Sequence, residues 1–496
     1  MNKKNTNPAE SNTSCLRFRM FQFMWLVFIL FHMAISSPGW SSVGNAFLNP
    51  SSYIFLFANI LVIVFSLLSL FRPGNMFYFI SALAFLTVVK IDALPSIPNH
   101  IVLTLIIHFT LFLSLILYWD TSLKIKERIG RWFDKTAPFL RVELLILYFF
   151  VVLHKINYDF FNPAVSCASE LYADIAAFYP FFPQGQWIDQ VIIFFTFLPE
   201  LIIPVLLIIP STRVLGVILG MLFHFMLSLH PNLYILSFTA EIFALYILFL
   251  PGKLIVEITE ILQQKINRIN IKRLAAGVSV FSLLMIAAYA SMNVLVRGGF
   301  SVTMLKEDLP DFFLVTWIIW GLILITGVLI FFRNYLISAS VETVPFFSLS
   351  WSPLLIFLLL AVFNGMNPYI GLKTTTNFAM FSNLKVDGSE NNHMFISSAF
   401  QVADLQNDTV TLLETNHTYL QDYIEWNERI TYFELSRFLF ENRSEDIEVI
   451  FQRKGELYVI NLAQHQADDF LESSWIARKM LAFRGVPQEG PTPCQW

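Results

Sequence analysis

The chain is 496 residues long, 56% hydrophobic, 16% aromatic and only 14% charged, against about 25% charged in soluble domains. This composition excludes a disordered, collagenous or disulfide-framework protein and an ordinary soluble enzyme, and points to an all-α polytopic membrane bundle. A net charge of −4 with no basic domain excludes nucleic acid as a partner. Three cysteines are too few for a disulfide framework or a zinc site, although Cys167 and Cys494 can bridge if both lie outside the cell.

In chain order, a polar N-terminus (1–17) leads into about eleven predicted spans, at roughly 18–36, 52–71, 76–95, 100–118, 139–157, 189–209, 214–230, 233–250, 274–296, 312–332 and 350–366. Each must be helical, because lipid cannot satisfy open backbone groups. The first also reads as a secretory signal, since Lys3, Lys4, Arg17 and Arg19 precede it and Ala34-Ile35-Ser36 is cleavage-like. Alternate loops and span ends carry 18 Lys and Arg, whereas the opposite loops hold only Arg297 and Lys306. The positive-inside rule then places the N-terminus in the cytoplasm and, with eleven spans, the C-terminus outside a multi-pass cell-membrane protein. Segment 253–272 is amphipathic and basic. It reads either as a helix along the cytoplasmic leaflet, touching membrane lipids, or as a solvated connector.

From about residue 367 the apolar runs shorten. After residue 370 there are ten Lys and Arg against eighteen Asp and Glu. Residues 367–496 are enough for one external soluble α+β domain. Runs 447–453 and 457–462 around Lys454-Gly455 predict a β-hairpin, and 417–427, 431–442 and 467–483 predict helices. Three sequons fall here, at Asn407, Asn416 and Asn442. There is no internal repeat.

Ionisable residues inside spans are costly and are candidate functional groups by default. The set is Lys90, Asp92, His108, Lys155, Glu200, His224 and Glu241. At about 1.5 Å per residue, Lys90, His108, Lys155 and Glu241 fall in the outer half of the bilayer, with Glu200 and His224 near its middle. A polar cavity opening outward explains that bias; scattered structural pairs or snorkelling lysines are the alternative. Tyr148, Lys155 and Asp159 are seven and four residues apart and so share one helical stripe. A desolvated lysine there can act as a base, or can snorkel to the interface. Gly216, Gly220 and His224 stand four residues apart, a spacing that allows close helix packing and turns the histidine toward protein. Glu200 lies between Pro199 and Pro204, and Glu241 has Lys155 or His224 as candidate partners. No soluble catalytic motif and no metal-ligand cluster appears in the sequence.

The stretch Phe139–Pro251 resembles the HTTM domain, the membrane domain shared by vitamin K-dependent gamma-carboxylase and bacterial relatives. The likeness rests on YFFVVLHKINYDFF, with Tyr148, Phe149, Lys155 and Asp159, and on Glu200, Arg213, Gly216 and His224 before the ending at Pro251. Val151-Val152 and Phe160 depart from the family's Ala-Gly and tryptophan. The stretch NPYIGLKTTTNFAMFSNLKVDGSENNHMF also looks like a block that follows the membrane domain in a bacterial subgroup. The resemblance implies a carboxylase-like enzyme acting on a reduced quinone of vitamin K type. Lys155, His224 and Glu200 would be catalytic, and Tyr148, Asp159, Glu241 and His108 would bind the cofactor. The external domain would present a protein substrate. Two other readings are a non-catalytic membrane anchor or assembly protein, and a transporter, which the missing repeat disfavours.

Overall fold

The computed structural model describes residues 8–35, 50–231, 233–266, 303–337, 347, 349, 351–387, 391–397, 401, 403–462 and 474–494. The protein is 65% helical, with a small sheet domain near its C-terminus. Two compact units are present: Met1–Asp92, Thr104–Leu145 and Leu201–Leu358 in the first, and Ala93–Leu103, Ile146–Glu200 and Leu359–Trp496 in the second.

The helices in chain order are α1 (Pro8–Ile35), α2 (Pro50–Phe71), α3 (Met76–Asp92), α4 (Asn99–Tyr118), α5 (Ile125–Lys155), α6 (Cys167–Phe178), α7 (Gln186–Ile208), α8 (Arg213–Leu227), α9 (Leu233–Tyr246), α10 (Gly252–Ile266), α11 (Thr303–Ile337) and α12 (Leu355–Ile370). Among the described residues four helices are long and apolar enough to cross a bilayer: Asn12–Ile35 of α1, α4, α5 and Trp187–Ile208 of α7. A fifth counts if Ile235–Phe249 and Gly252–Ile261, bent by 112°, form one broken span. The predicted span at 214–230 is the 15-residue α8, which reaches about 22 Å, short of a hydrocarbon core of about 30 Å. The predicted span at 274–296 lies outside the described residues.

Two helices differ from expectation for a visible reason. α5 begins at Ile125 rather than near 139 and carries Pro138 inside it. Its charged first half is held by Trp132 and Phe133, both fully buried, whose rings sit 5.3 and 5.2 Å from that of Phe18. Packing therefore overrides the polar composition that suggested a loop. α6 was not anticipated. Its buried face, Cys167, Leu171 and Ile175, has the four-residue spacing of an amphipathic helix.

The corner between α9 and α10 is built by arginines of the first unit. A 3-10 turn, Ile247–Phe249, precedes Pro251, which has no N–H to continue the ladder. Arg141 Nε donates to Leu248 O at 2.8 Å and Arg17 donates to Leu250 O at 3.2 Å. The carbonyls released by the turn are thus satisfied without water.

In the second unit, β1 (Thr409–Thr415), α13 (Thr418–Glu425), β2 (Glu428–Thr431), α14 (Tyr432–Glu441), β3 (Glu448–Arg453), β4 (Glu456–Asn461), α15 (Trp475–Met480) and β5 (Val486–Pro487) follow. The antiparallel sheet has the order β4-β3-β1-β2-β5. Alternate residues Val410 and Leu412 of β1, with Val449 and Phe451 of β3, enter a core that also takes Leu420, Leu435 and Leu439. The hairpin forms where the sequence indicates it, with both Lys454 and Gly455 at positive φ, the geometry of a two-residue primed turn. Thr431 caps α14 by accepting from Glu434 N. Of the helix expected at 467–483, Trp475–Met480 is helical and 463–473 lie outside the described residues.

Candidate functional site

Lys155 is the last residue of α5, and the helix stops there because Asn157 takes over its end. Asn157 Nδ2 donates to His154 O at 2.8 Å and to Ser382 O at 2.6 Å, and its Oδ1 accepts from Phe160 N at 2.8 Å. One carboxamide thus satisfies a carbonyl of the last helical turn and fixes the chain that follows. Glu200 lies on α7 between Pro199 and Pro204, which leave the carbonyls of Phe195 and Glu200 without their helical donors.

The structure brings these two predicted residues together. Lys155 Nζ donates to Glu200 Oε1 at 2.6 Å and to Oε2 at 2.5 Å. The side chains are buried, with residue exposures of 3% and 5%. Beside them Nζ stands 5.4 Å from the centre of the Phe160 ring. Phe160, Ala168 and Ile193 form an apolar cluster against which Phe161, Ile192 and Phe197 pack. The result is one ion pair in a buried aromatic setting, where attraction is strong and the loss of either partner is costly.

Asp159 does not share a helical stripe with Lys155, because α5 ends before it. Its Oδ2 accepts from Asn392 Nδ2 at 2.8 Å and from Thr492 N at 2.9 Å. Asn383 completes this clamp: its Oδ1 accepts from Cys167 N at 2.8 Å, and its Nδ2 donates to Val165 O and Thr492 O at 2.8 and 3.0 Å. Cys167 and Cys494 are disulfide-bonded. Asp159 therefore ties three segments of the second unit together. Tyr148 of the same unit is buried on α5.

Sequence reasoning missed His154, His393 and Tyr369. His154 is fully buried and its Nε2 donates to Gly365 O at 3.0 Å. His393 Nε2 donates to Leu153 O at 3.1 Å, and its Nδ1 accepts from Phe395 N and Ile396 N. Tyr369 lies between the two imidazoles, its ring centre 5.4 Å from that of His154 and 5.3 Å from that of His393. The surrounding chain is strained: Thr376, Phe378, Phe381 and Asn383 all have positive φ, a conformation that costs of order 1 kcal/mol or more at a non-glycine residue. The available signal was the asparagine-rich block itself, since Asn tolerates such backbone and bonds locally. Beyond α12, burial pushes Lys373 down to about 8. It also raises Asp387, an effect that Arg484 and Lys385 partly offset.

His108, His224 and Glu241 belong to the first unit. Trp25 Nε1 donates to His108 Nε2 at 3.2 Å. Thr87 spends its hydroxyl proton on Leu83 O, so His108 Nδ1 donates to Thr87 Oγ1 at 2.8 Å, and both ring nitrogens are used. Glu241 Oε1 accepts from Thr104 Oγ1 at 2.8 Å. His224 packs among Phe223, Phe238 and Tyr246. The close approach expected of its glycines is present: a Cβ on Gly220 would collide with the Tyr246 hydroxyl. Glu143, fully buried, was not singled out in the sequence; it accepts from Thr110 at 2.5 Å. Among the described residues no group of three or more His, Cys, Asp or Glu could hold a metal ion.

No family model, curated protein or solved structure matches the chain.

Proposed function

We propose that the chain is a polytopic cell-membrane protein of HTTM type, with about eleven spans, a cytoplasmic N-terminus and an external C-terminal domain, and that it is an enzyme using a lipid-soluble quinol with Lys155 as base. The apolar helices support the membrane reading. The Cys167–Cys494 disulfide supports an external second half, because such bonds persist in oxidising compartments. The observation that carries the enzymatic reading is the buried Lys155–Glu200 pair.

The residues at the pair fit a quinol in their chemistry. Phe160, Phe161 and Phe197 offer apolar aromatic surface for a ring, and Lys155 with Glu200 offers a proton acceptor. An amine accepts a proton only after losing one, and the Glu200 carboxylate at 2.5–2.6 Å is placed to take it. The free amine then removes a phenolic proton, while the aromatic cluster keeps water away from the transfer. A bound quinol would supply electrons to dioxygen and, once oxygenated, a base strong enough to take a carbon-bound proton from an acceptor. The external domain would present that acceptor, a protein segment.

A second reading is favoured by the closure of the pair: both carboxylate oxygens are occupied by the ammonium, as in a purely structural bridge. It makes the chain a non-catalytic anchor, in which Lys155→Ala changes abundance alone. The test is to purify the protein in lipid, supply a reduced naphthoquinone with oxygen, and measure epoxide. Epoxide from the wild type and none from folded Lys155→Ala is the expected result. No epoxide from either removes the quinol reading and leaves the anchor.

A further inference from the structure

Between α1, the start of α5 and α10 in the first unit lies a cavity of about 210 Å³. It is lined by Asn12 and Arg19 of α1, Lys126 at the start of α5, and Thr259, Glu260 and Gln263 of α10. The guanidinium of Arg19 rests over Gly74, 3.5 Å from where a Cβ would stand. Its Nε is buried and has no hydrogen-bond partner among the described residues. Thr259 spends its hydroxyl on Ile255 O. The strong donors in the lining are therefore the Arg19 and Lys126 cations and the Asn12 and Gln263 amides, with the free Cys15 thiol a weak one. Glu260 is the single carboxylate in the lining, and it makes no salt bridge with either cation among the described residues.

The geometry points to a binding site for a phosphate oxyanion, and specifically for the headgroup of an anionic phospholipid. Guanidinium and ammonium groups with amide donors match phosphate oxygens. The remaining lining is Cys15, Leu16 and Val256, and the two aliphatic side chains suit the glycerol and first acyl carbons rather than a free ion. α10 turns 112° away from the preceding helix, so if α9 crosses the bilayer α10 lies along its surface, at headgroup depth. The proposal rests on the membrane reading of the chain and is independent of quinol chemistry.

The full-length protein in nanodiscs of phosphatidylcholine with one-fifth phosphatidylglycerol, released and weighed by native mass spectrometry, tests it. The wild type is expected to retain one phosphatidylglycerol. Arg19→Gln and Lys126→Gln should each lower that occupancy about fivefold, and Lys124→Gln, outside the cavity, should leave it unchanged. Lys126 is exposed, so its variant carries the test even if Arg19→Gln fails to fold. Millimolar inorganic phosphate is the second arm: no competition supports the lipid, whereas full displacement reassigns the site to free phosphate. Equal retention of phosphatidylcholine and phosphatidylglycerol, or no effect of either variant, overturns the proposal. If the protein is not incorporated into nanodiscs at all, the membrane reading fails, and that outcome is separate from a loss of epoxide.

Discussion

The Lys155–Glu200 pair sets the energetics of the second unit at the scale of single residues. Removing one partner strands a buried charge, at about 3–5 kcal/mol, whereas removing both leaves an apolar site. Lys155→Met and Glu200→Leu are each expected to lower the unfolding midpoint strongly, and the double variant to recover most of the loss. A double-mutant cycle in lipid measures this, and additive losses would mean that the pair is not coupled. Lys373 gives a pH test in the same unit. It is buried, bonded among the described residues to the Thr376 carbonyl and hydroxyl alone, and pushed down to about 8 from 10.5 by burial. Between those values the unfolded chain binds more protons, so stability rises with pH. The penalty is complete below about 8 and gone above about 10.5, and amounts to about 3 kcal/mol. Thermal unfolding of Lys373→Met should exceed the wild type at pH 7, with the gap closing toward pH 10.5; a gap independent of pH would contradict it.

Among elements, close helix approach at glycine is the recurring device. A Cβ on Gly365 of α12 would stand 2.2 Å from the Phe150 ring of α5. Gly365→Ala is therefore expected to cost about 1–3 kcal/mol by overpacking, and Phe150→Leu in the same chain to recover part of it, as measured by chemical denaturation. The sequence made such elements readable where period and composition agree. The 448–461 hairpin, α13 and α14 stand within a few residues of expectation, because turn chemistry and alternation pointed the same way. α5 was cut short in the sequence because charged residues 126–135 look like a loop until Trp132 and Phe133 are seen to be buried. The same limit governs the site. Lys155 and Glu200 were each legible as ionisable residues in apolar runs, but nothing local links positions 45 residues apart. His154 and Tyr369 were hidden among apolar neighbours, and the strain around them appears only in backbone angles.

For the molecule as a whole, the proposed orientation draws on the charge pattern and the disulfide. Basic residues collect in alternate loops, and Cys167 pairs with Cys494 in the acidic C-terminal half. The bond closes a 327-residue separation, so its loss should cost about 2–4 kcal/mol. Cys167→Ser and reduction of the wild type should lower the melting temperature equally and not additively. If neither shifts it, the bridge does not form in the folded protein. The mostly helical character and the small C-terminal sheet domain follow from composition and pattern; the partition into two units assembled from interleaved segments does not, because it depends on contacts remote in sequence.

Lys155→Arg separates chemistry from architecture most directly. Arginine keeps the charge opposite Glu200 but cannot give up its proton to serve as a base. With reduced naphthoquinone and oxygen in lipid, the variant is expected to melt within a few degrees of the wild type and to form epoxide at least about 100-fold more slowly. Wild-type turnover by Lys155→Arg would contradict the assignment of Lys155 as the base and leave the pair a structural bridge.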